Sequence, residues 1–132
     1  MAGVYVDTSA LGRVVLAEPD AEAIRDVLAR YDAWWSSAIL IVELRRLGRR
    51  EDLEPAVERV LAQVSLLDVD RASLERASHL GPVEVRSLDA IHLDAALVLA
   101  RGGEIAAVVT YDRQLQAGCS PHGLAVEAPI AQ

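Results

Sequence analysis

The chain has 132 residues, 52% of them hydrophobic and 25% charged, a composition that suits one globular domain and is too short for two. Its net charge is −7 and all 13 basic residues are arginine, so bulk electrostatics works against nucleic acid, and P-loop or Schiff-base chemistry, which needs lysine, is excluded. No run approaches the roughly 18 apolar residues of a membrane span, no leader pattern precedes the first strand, and the single cysteine, Cys119, admits no internal disulfide, which together suggest a cytoplasmic protein.

Val4 to Val6 reads as a buried first strand. Thr8 or Ser9 is positioned to cap a helix through Leu11, Val14, Val15 and Leu16. Glu18-Pro19-Asp20 breaks it, and a second helix carries Ile24, Val27, Leu28 and Tyr31 on one face. Ala33 to Ser36 is a short strand. Ser37 is expected to cap a helix through Ile41, Leu44 and Leu47 that stops at Gly48, and Glu51 to Val64 forms another. Ser65 to Val69 is a third strand, followed by a helix from Arg71 to Leu80, capped by Asp70 and stopped by Gly81-Pro82. Ser87 is expected to cap the apolar helix Leu88 to Ala100. Ile105 to Thr110 is almost wholly apolar and reads as a central strand. A short helix from Asp112 to Gly118 and an edge strand from Leu124 to Glu127 complete the pattern. This alternation predicts a single α/β domain over residues 1–132, with a mostly parallel five-stranded sheet and helices on both faces.

Four acids stand where strands turn into helices: Asp7 directly after the first strand, Glu43 two turns or less past Ser37, Asp89 just after Ser87, and Asp112 just after Thr110. In an open α/β sheet such positions meet at one edge, where ligands bind. A first-turn acid is favoured by the helix dipole by about 0.3–1 kcal/mol, which is a sufficient account of Asp89 or Asp112 taken singly. Taken together the acids need another explanation. Two carboxylates about 4 Å apart repel by roughly 4 kcal/mol at an effective dielectric of 20, against a domain stability of about 5–15 kcal/mol. A cluster of four calls for protons, an arginine or a cation. Hard oxygen ligands select Mg2+ or Mn2+, and such an ion supports phosphodiester hydrolysis. Thr8, Ser9 and Thr110 are placed to orient the carboxylates, or to act as plain caps.

The segments Val6-Asp7-Thr8-Ser9-Ala10-Leu11, Leu88-Asp89-Ala90-Ile91-His92-Leu93 and Thr110-Tyr111-Asp112-Arg113-Gln114-Leu115, with Glu43 between the first two, resemble the PIN-domain ribonucleases, and among these the VapC-type toxins of type II toxin–antitoxin pairs. The resemblance runs the length of the chain. It implies a PIN-like fold and a Mg2+- or Mn2+-dependent endoribonuclease with Asp7, Glu43, Asp89 and Asp112 as its acidic site. It also implies a homodimer and a cognate antitoxin whose tail covers the site. The implied substrate is a structured RNA such as tRNA or rRNA. Asp94 departs from the pattern, standing where relatives carry a small residue. On an ideal helix it lies about 140° from Asp89, so it is expected outside the metal site, meeting an arginine either across a dimer or in the surroundings of the site.

Arg46 and Arg50 share the helix face of Glu43, and Arg86 and Arg113 neighbour Asp89 and Asp112, so all four are candidate contacts for RNA phosphates. The plainer reading of the arginines after Glu43 is that they complement a helix end and pair with Glu51, Asp52 and Glu54. His92 reads first as a buried histidine bonded within the fold, and second as an acid–base group. His79 and His122 lack ligand-like spacing. Trp34 and Trp35 read as packing residues on opposite faces of a strand. Two other functions compete. A catalytically inactive PIN-like interaction module would not need all four acids. A receiver- or phosphatase-like domain would need a lysine or an Asp-x-Asp that this chain lacks.

Overall fold

The computed structural model describes residues 2–131. Five parallel strands, β1 (Gly3–Val6), β2 (Trp34–Ser37), β3 (Ser65–Leu67), β4 (Ile105–Val109) and β5 (Val126–Glu127), form one sheet in the order β3-β2-β1-β4-β5. Seven α-helices cover it: α1 (Thr8–Val15), α2 (Ala21–Leu28), α3 (Leu40–Glu51), α4 (Glu54–Leu61), α5 (Arg71–Ser78), α6 (Ser87–Arg101) and α7 (Arg113–Cys119). None of these helices is long and apolar enough to cross a membrane. β1, not β4, is the central strand, although β4 is also interior and correspondingly apolar.

Side-chain alternation along β1 sorts the core into two layers. Val4 and Val6 join Leu11, Ile24, Leu28, Leu40, Leu44 and Val57 from α1 to α4. Tyr5 points the other way, into Leu93, Ala96, Leu99, Leu115 and Cys119 of α6 and α7. In β4, a register shift leaves Ala106 unpaired opposite the Gly3/Val4 step, so Ile105 and Val108 share the α6 face although they are three residues apart. A bidentate ion pair, Arg76 Nε and Nη2 to Asp94 Oδ1 and Oδ2 at 3.0 and 3.2 Å, ties α5 to α6.

Helix boundaries differ from the sequence reading where a cap or a packing contact overrides a local signal. Asp7, rather than Thr8 or Ser9, caps α1 by accepting from Ala10 N at 3.1 Å. Ser37 and Ser87 are not caps either: Ser37 ends β2, and Ser87 is the first residue of α6. α3 starts at Leu40, so Glu43 sits in its first turn. It also runs through Gly48, because at this position α3 meets α4: a Cβ on Gly48 would stand 2.7 Å from Val57 Cγ2. The helix ends instead at Asp52, in the left-handed conformation at φ 56°.

The chain winds outward from β1 through β2 to β3, then crosses back to β4 on the other side of β1 and on to β5. The order therefore reverses between β1 and β4. The carboxyl ends of two strands at such a reversal are the usual ligand position in this architecture.

Candidate functional site

Asp7 leaves β1 and Thr110-Tyr111-Asp112 leaves β4 at that reversal, and hydrogen bonds stitch the two loops together. Asp7 is 3% exposed. Its Oδ2 accepts from Thr110 Oγ1 at 2.6 Å, and its Oδ1 from Ser9 Oγ at 2.7 Å as well as from Ala10 N. Ser9 Oγ in turn accepts from Tyr111 N at 2.8 Å, and Thr110 Oγ1 from Asp112 N at 3.1 Å. Burial pushes the Asp7 carboxyl above its ordinary pKa of 3.8 despite these donors.

Asp112 caps α7, with Oδ1 accepting from Gln114 N at 2.8 Å and Leu115 N at 3.1 Å. Glu43 enters from α3. Its Oε1 accepts from Thr8 Oγ1 at 2.6 Å and faces His92 Nε2 at 2.8 Å. Burial would raise the Glu43 pKa, but the hydrogen bonds from His92 and Thr8 outweigh it and hold the carboxyl below its ordinary 4.5.

Asp89, in the first turn of α6, is buried beside Asp112. Burial comes first, then the hydrogen bond with Asp112 and that residue's negative charge, in pushing its pKa up to about 7, with Asp7 adding to the repulsion. Asp112 likewise acts on Glu43. The four acids thus sense one another's charge, which side chains on separate faces would not. Among the described residues, no three His, Cys, Asp or Glu side chains already stand at chelating distance. The acids converge without closing on a single point.

The remaining residues singled out in the sequence fall around this centre or away from it. Arg46, Arg50, Arg86 and Arg113 are exposed and engage no carboxylate among the described residues. Of the arginines after Glu43, Arg45 pairs with Glu58 of α4 at 2.9 Å, rather than with Glu51, Asp52 or Glu54. Asp94 faces away from the acids and is held by Arg76. His92 is 3% exposed and reaches Tyr5 on one side and Glu43 on the other. Tyr5 escaped the sequence reading: within Val4-Tyr5-Val6 it looks like a core aromatic, and its only signal is a hydroxyl that must find a partner when buried. Arg13 also emerges only in three dimensions. It pairs with Asp20 at 2.8 Å and lies 4.1 Å over the Tyr111 ring.

Known proteins share this architecture and this sequence. Residues 4–119 match the PIN domain family. The chain is 37% identical over 131 residues to Ribonuclease VapC46 of Mycobacterium tuberculosis, covering 98% of this chain and 99% of that protein. It is 35% identical over 130 residues to Ribonuclease VapC35 of the same organism, covering 96% of each, and 34% identical over 135 residues to its Ribonuclease VapC47. A toxin–antitoxin complex from Klebsiella pneumoniae contains a chain that superposes with a TM-score of 0.70, covering 99% of this chain and 100% of that one. At 16% identity this likeness concerns the fold alone.

Proposed function

The chain belongs to the PIN-domain family, in its VapC-like branch, and from that premise we propose that it is a divalent-metal-dependent endoribonuclease, the toxin of a toxin–antitoxin pair. The observation that carries this reading is the gathering of four acids, Asp7, Glu43, Asp89 and Asp112, around the β1/β4 switch point, near enough to influence one another's charge. A protein gains nothing in stability from such a cluster, so its use lies in what it binds.

The donors fit Mg2+ or Mn2+. Asp7, Glu43, Asp89 and Asp112 offer only hard oxygen ligands. Their open arrangement suits an ion that keeps several waters and takes one or two carboxylates directly. When bound, such an ion polarises a phosphate oxygen and lowers the pKa of attacking water. The protein supplies the orientation. Thr110 and Ser9 fix both oxygens of Asp7, Thr8 and His92 fix Glu43, and the α7 N-terminus fixes Asp112. Arg46, Arg50, Arg86 and Arg113, exposed and free of carboxylate partners among the described residues, are suited to RNA phosphates on an otherwise acidic protein. The relatives named as ribonucleases support RNA as the substrate class, and the fold neighbour's origin in a toxin–antitoxin complex supports a protein antitoxin as partner. A homodimer in the cytoplasm completes the reading.

The purified chain, freed of any partner, is expected to cleave RNA with Mg2+ or Mn2+ and to stop when EDTA is added. Asp7→Asn keeps the fold and loses cleavage. Cleavage that survives EDTA or Asp7→Asn refutes the mechanism.

A further inference from the structure

A hydrogen-bond chain runs from the sheet interior to the acidic site. Ser37 N donates to the Tyr5 hydroxyl at 3.1 Å. The Tyr5 hydroxyl lies 2.6 Å from His92 Nδ1, and His92 Nε2 lies 2.8 Å from Glu43 Oε1. An ionised carboxylate only accepts, so Nε2 carries the hydrogen. Tyr5 is fully buried, and burial raises its pKa well above 10, so it keeps its proton. The imidazole is held at both nitrogens and wedged edge-on to Tyr5, with ring centroids 5.8 Å apart and planes at 80°.

We propose that His92 is a positioning residue: Tyr5 fixes the orientation of its ring, and its Nε2–H holds the Glu43 carboxylate in register with Asp7, Asp89 and Asp112. This rests on Glu43 being an acid of the working site. Thr8 holds the same oxygen from the opposite chain segment, so Glu43 Oε1 is clamped by two donors while Oε2 receives none from the described residues. Oε2 is the oxygen left available to a ligand. Tyr5 sits on the central strand, so the clamp is anchored to the sheet interior rather than only to the helices that carry Glu43 and His92.

The test separates this role from a structural one. In the metal-free protein, nitrogen chemical shifts of 15N-labelled histidine are expected to show a proton on His92 Nε2. Tyr5→Phe, which is nearly isosteric, should shift the His92 nitrogen resonances. Tyr5→Phe and His92→Leu should each weaken Mn2+ binding, measured by calorimetry without RNA, by about tenfold to a hundredfold. They should lower kcat with KM for RNA unchanged. His92→Gln, which retains an N–H donor, should recover most of the Mn2+ affinity. An Nε2 without a proton in the wild type overturns the proposal. So does wild-type Mn2+ affinity and kcat in both Tyr5→Phe and His92→Leu, or a failure of His92→Gln to restore binding while folding normally. A wild-type chain that neither binds Mn2+ nor cleaves RNA overturns the ribonuclease reading itself, and the positioning role with it.

Discussion

Replacing Asp89 by Asn should make the metal-free protein more stable while removing its activity. Asp89 has an ordinary carboxyl pKa of 3.8 in an unfolded chain and about 7 in the fold. Folding therefore takes up a proton between those values, and stability falls as pH climbs through that window. The difference of about three pKa units, at about 1.4 kcal/mol each, sets a ceiling of about 4 kcal/mol. Water at the open mouth of the cluster screens a large part of it, leaving about 1–2 kcal/mol. In EDTA at pH 8, Asp89→Asn should raise Tm by about 3–8 °C for a domain of this size. At pH 5 Asp89 is protonated in the fold but still ionised in the unfolded chain, so the gain should shrink to roughly a third, vanishing only below its ordinary pKa of 3.8. Mg2+ should stabilise the wild type at pH 8 and the variant less, because a bound ion and the substitution relieve the same repulsion. Thermal melts across pH 5–8, with and without Mg2+, read all three. An Asn variant less stable than wild type at pH 8, or equally stabilised at pH 5 and 8, would refute the idea that this acid is held against its own charge.

Three further outcomes follow from the same geometry. Thr110→Val removes the donor to Asp7 Oδ2 and the acceptor of Asp112 N–H; urea titration should show a loss of about 2–3 kcal/mol, with cleavage falling as the Asp7 pKa rises further. Arg76→Ala leaves the buried Asp94 carboxylate unpaired between α5 and α6 and should cost about 2–4 kcal/mol, with Mn2+ affinity per folded molecule unchanged in calorimetry. Replacing Arg46 and Arg50 together by Ala should raise KM for RNA and flatten its dependence on log salt by about 0.7 for each phosphate that is no longer neutralised, with kcat and circular dichroism unaltered.

The parts of this molecule that sequence periodicity reveals are those fixed by local burial. Val4 to Val6 and the near-apolar β4 are strands because both faces of the sheet are covered, and the helices announce themselves through residues such as Ile24, Val27 and Leu28. The acids were visible because strand ends and helix starts leave local marks. What stayed hidden depends on two distant segments meeting. Gly48 looks like a stop signal until Val57 is seen against it. The choice of Asp7 over Thr8 or Ser9 as cap follows from both hydroxyls being engaged elsewhere, Thr8 with Glu43 and Ser9 with Asp7 and Tyr111. Tyr5 and His92 are separated by 87 residues, and nothing near either one signals their contact. The sequence reading of His92 as a buried, internally bonded side chain describes its surroundings, yet one of those bonds ends on a site acid.

Hydrogen-bond donors are spread unevenly over the four acids. Asp7 receives three hydrogen bonds from the fold, Asp112 two from its helix, and Glu43 a clamp from Thr8 and His92. Asp89 receives no such donor among the described residues and faces Asp112 instead. A cluster kept only for packing would spread its donors or replace the odd carboxylate by an amide of the same size, at a gain in stability. Here three acids are immobilised and the fourth is left in want of a positive charge. Misfit concentrated in one side chain, with its neighbours rigid, makes the site respond to a cation by binding it rather than by rearranging. The same unmet need for positive charge would accept a guanidinium from a partner protein, so metal and antitoxin should compete: an arginine-bearing antitoxin peptide that inhibits equally at low and high Mn2+ would contradict this view.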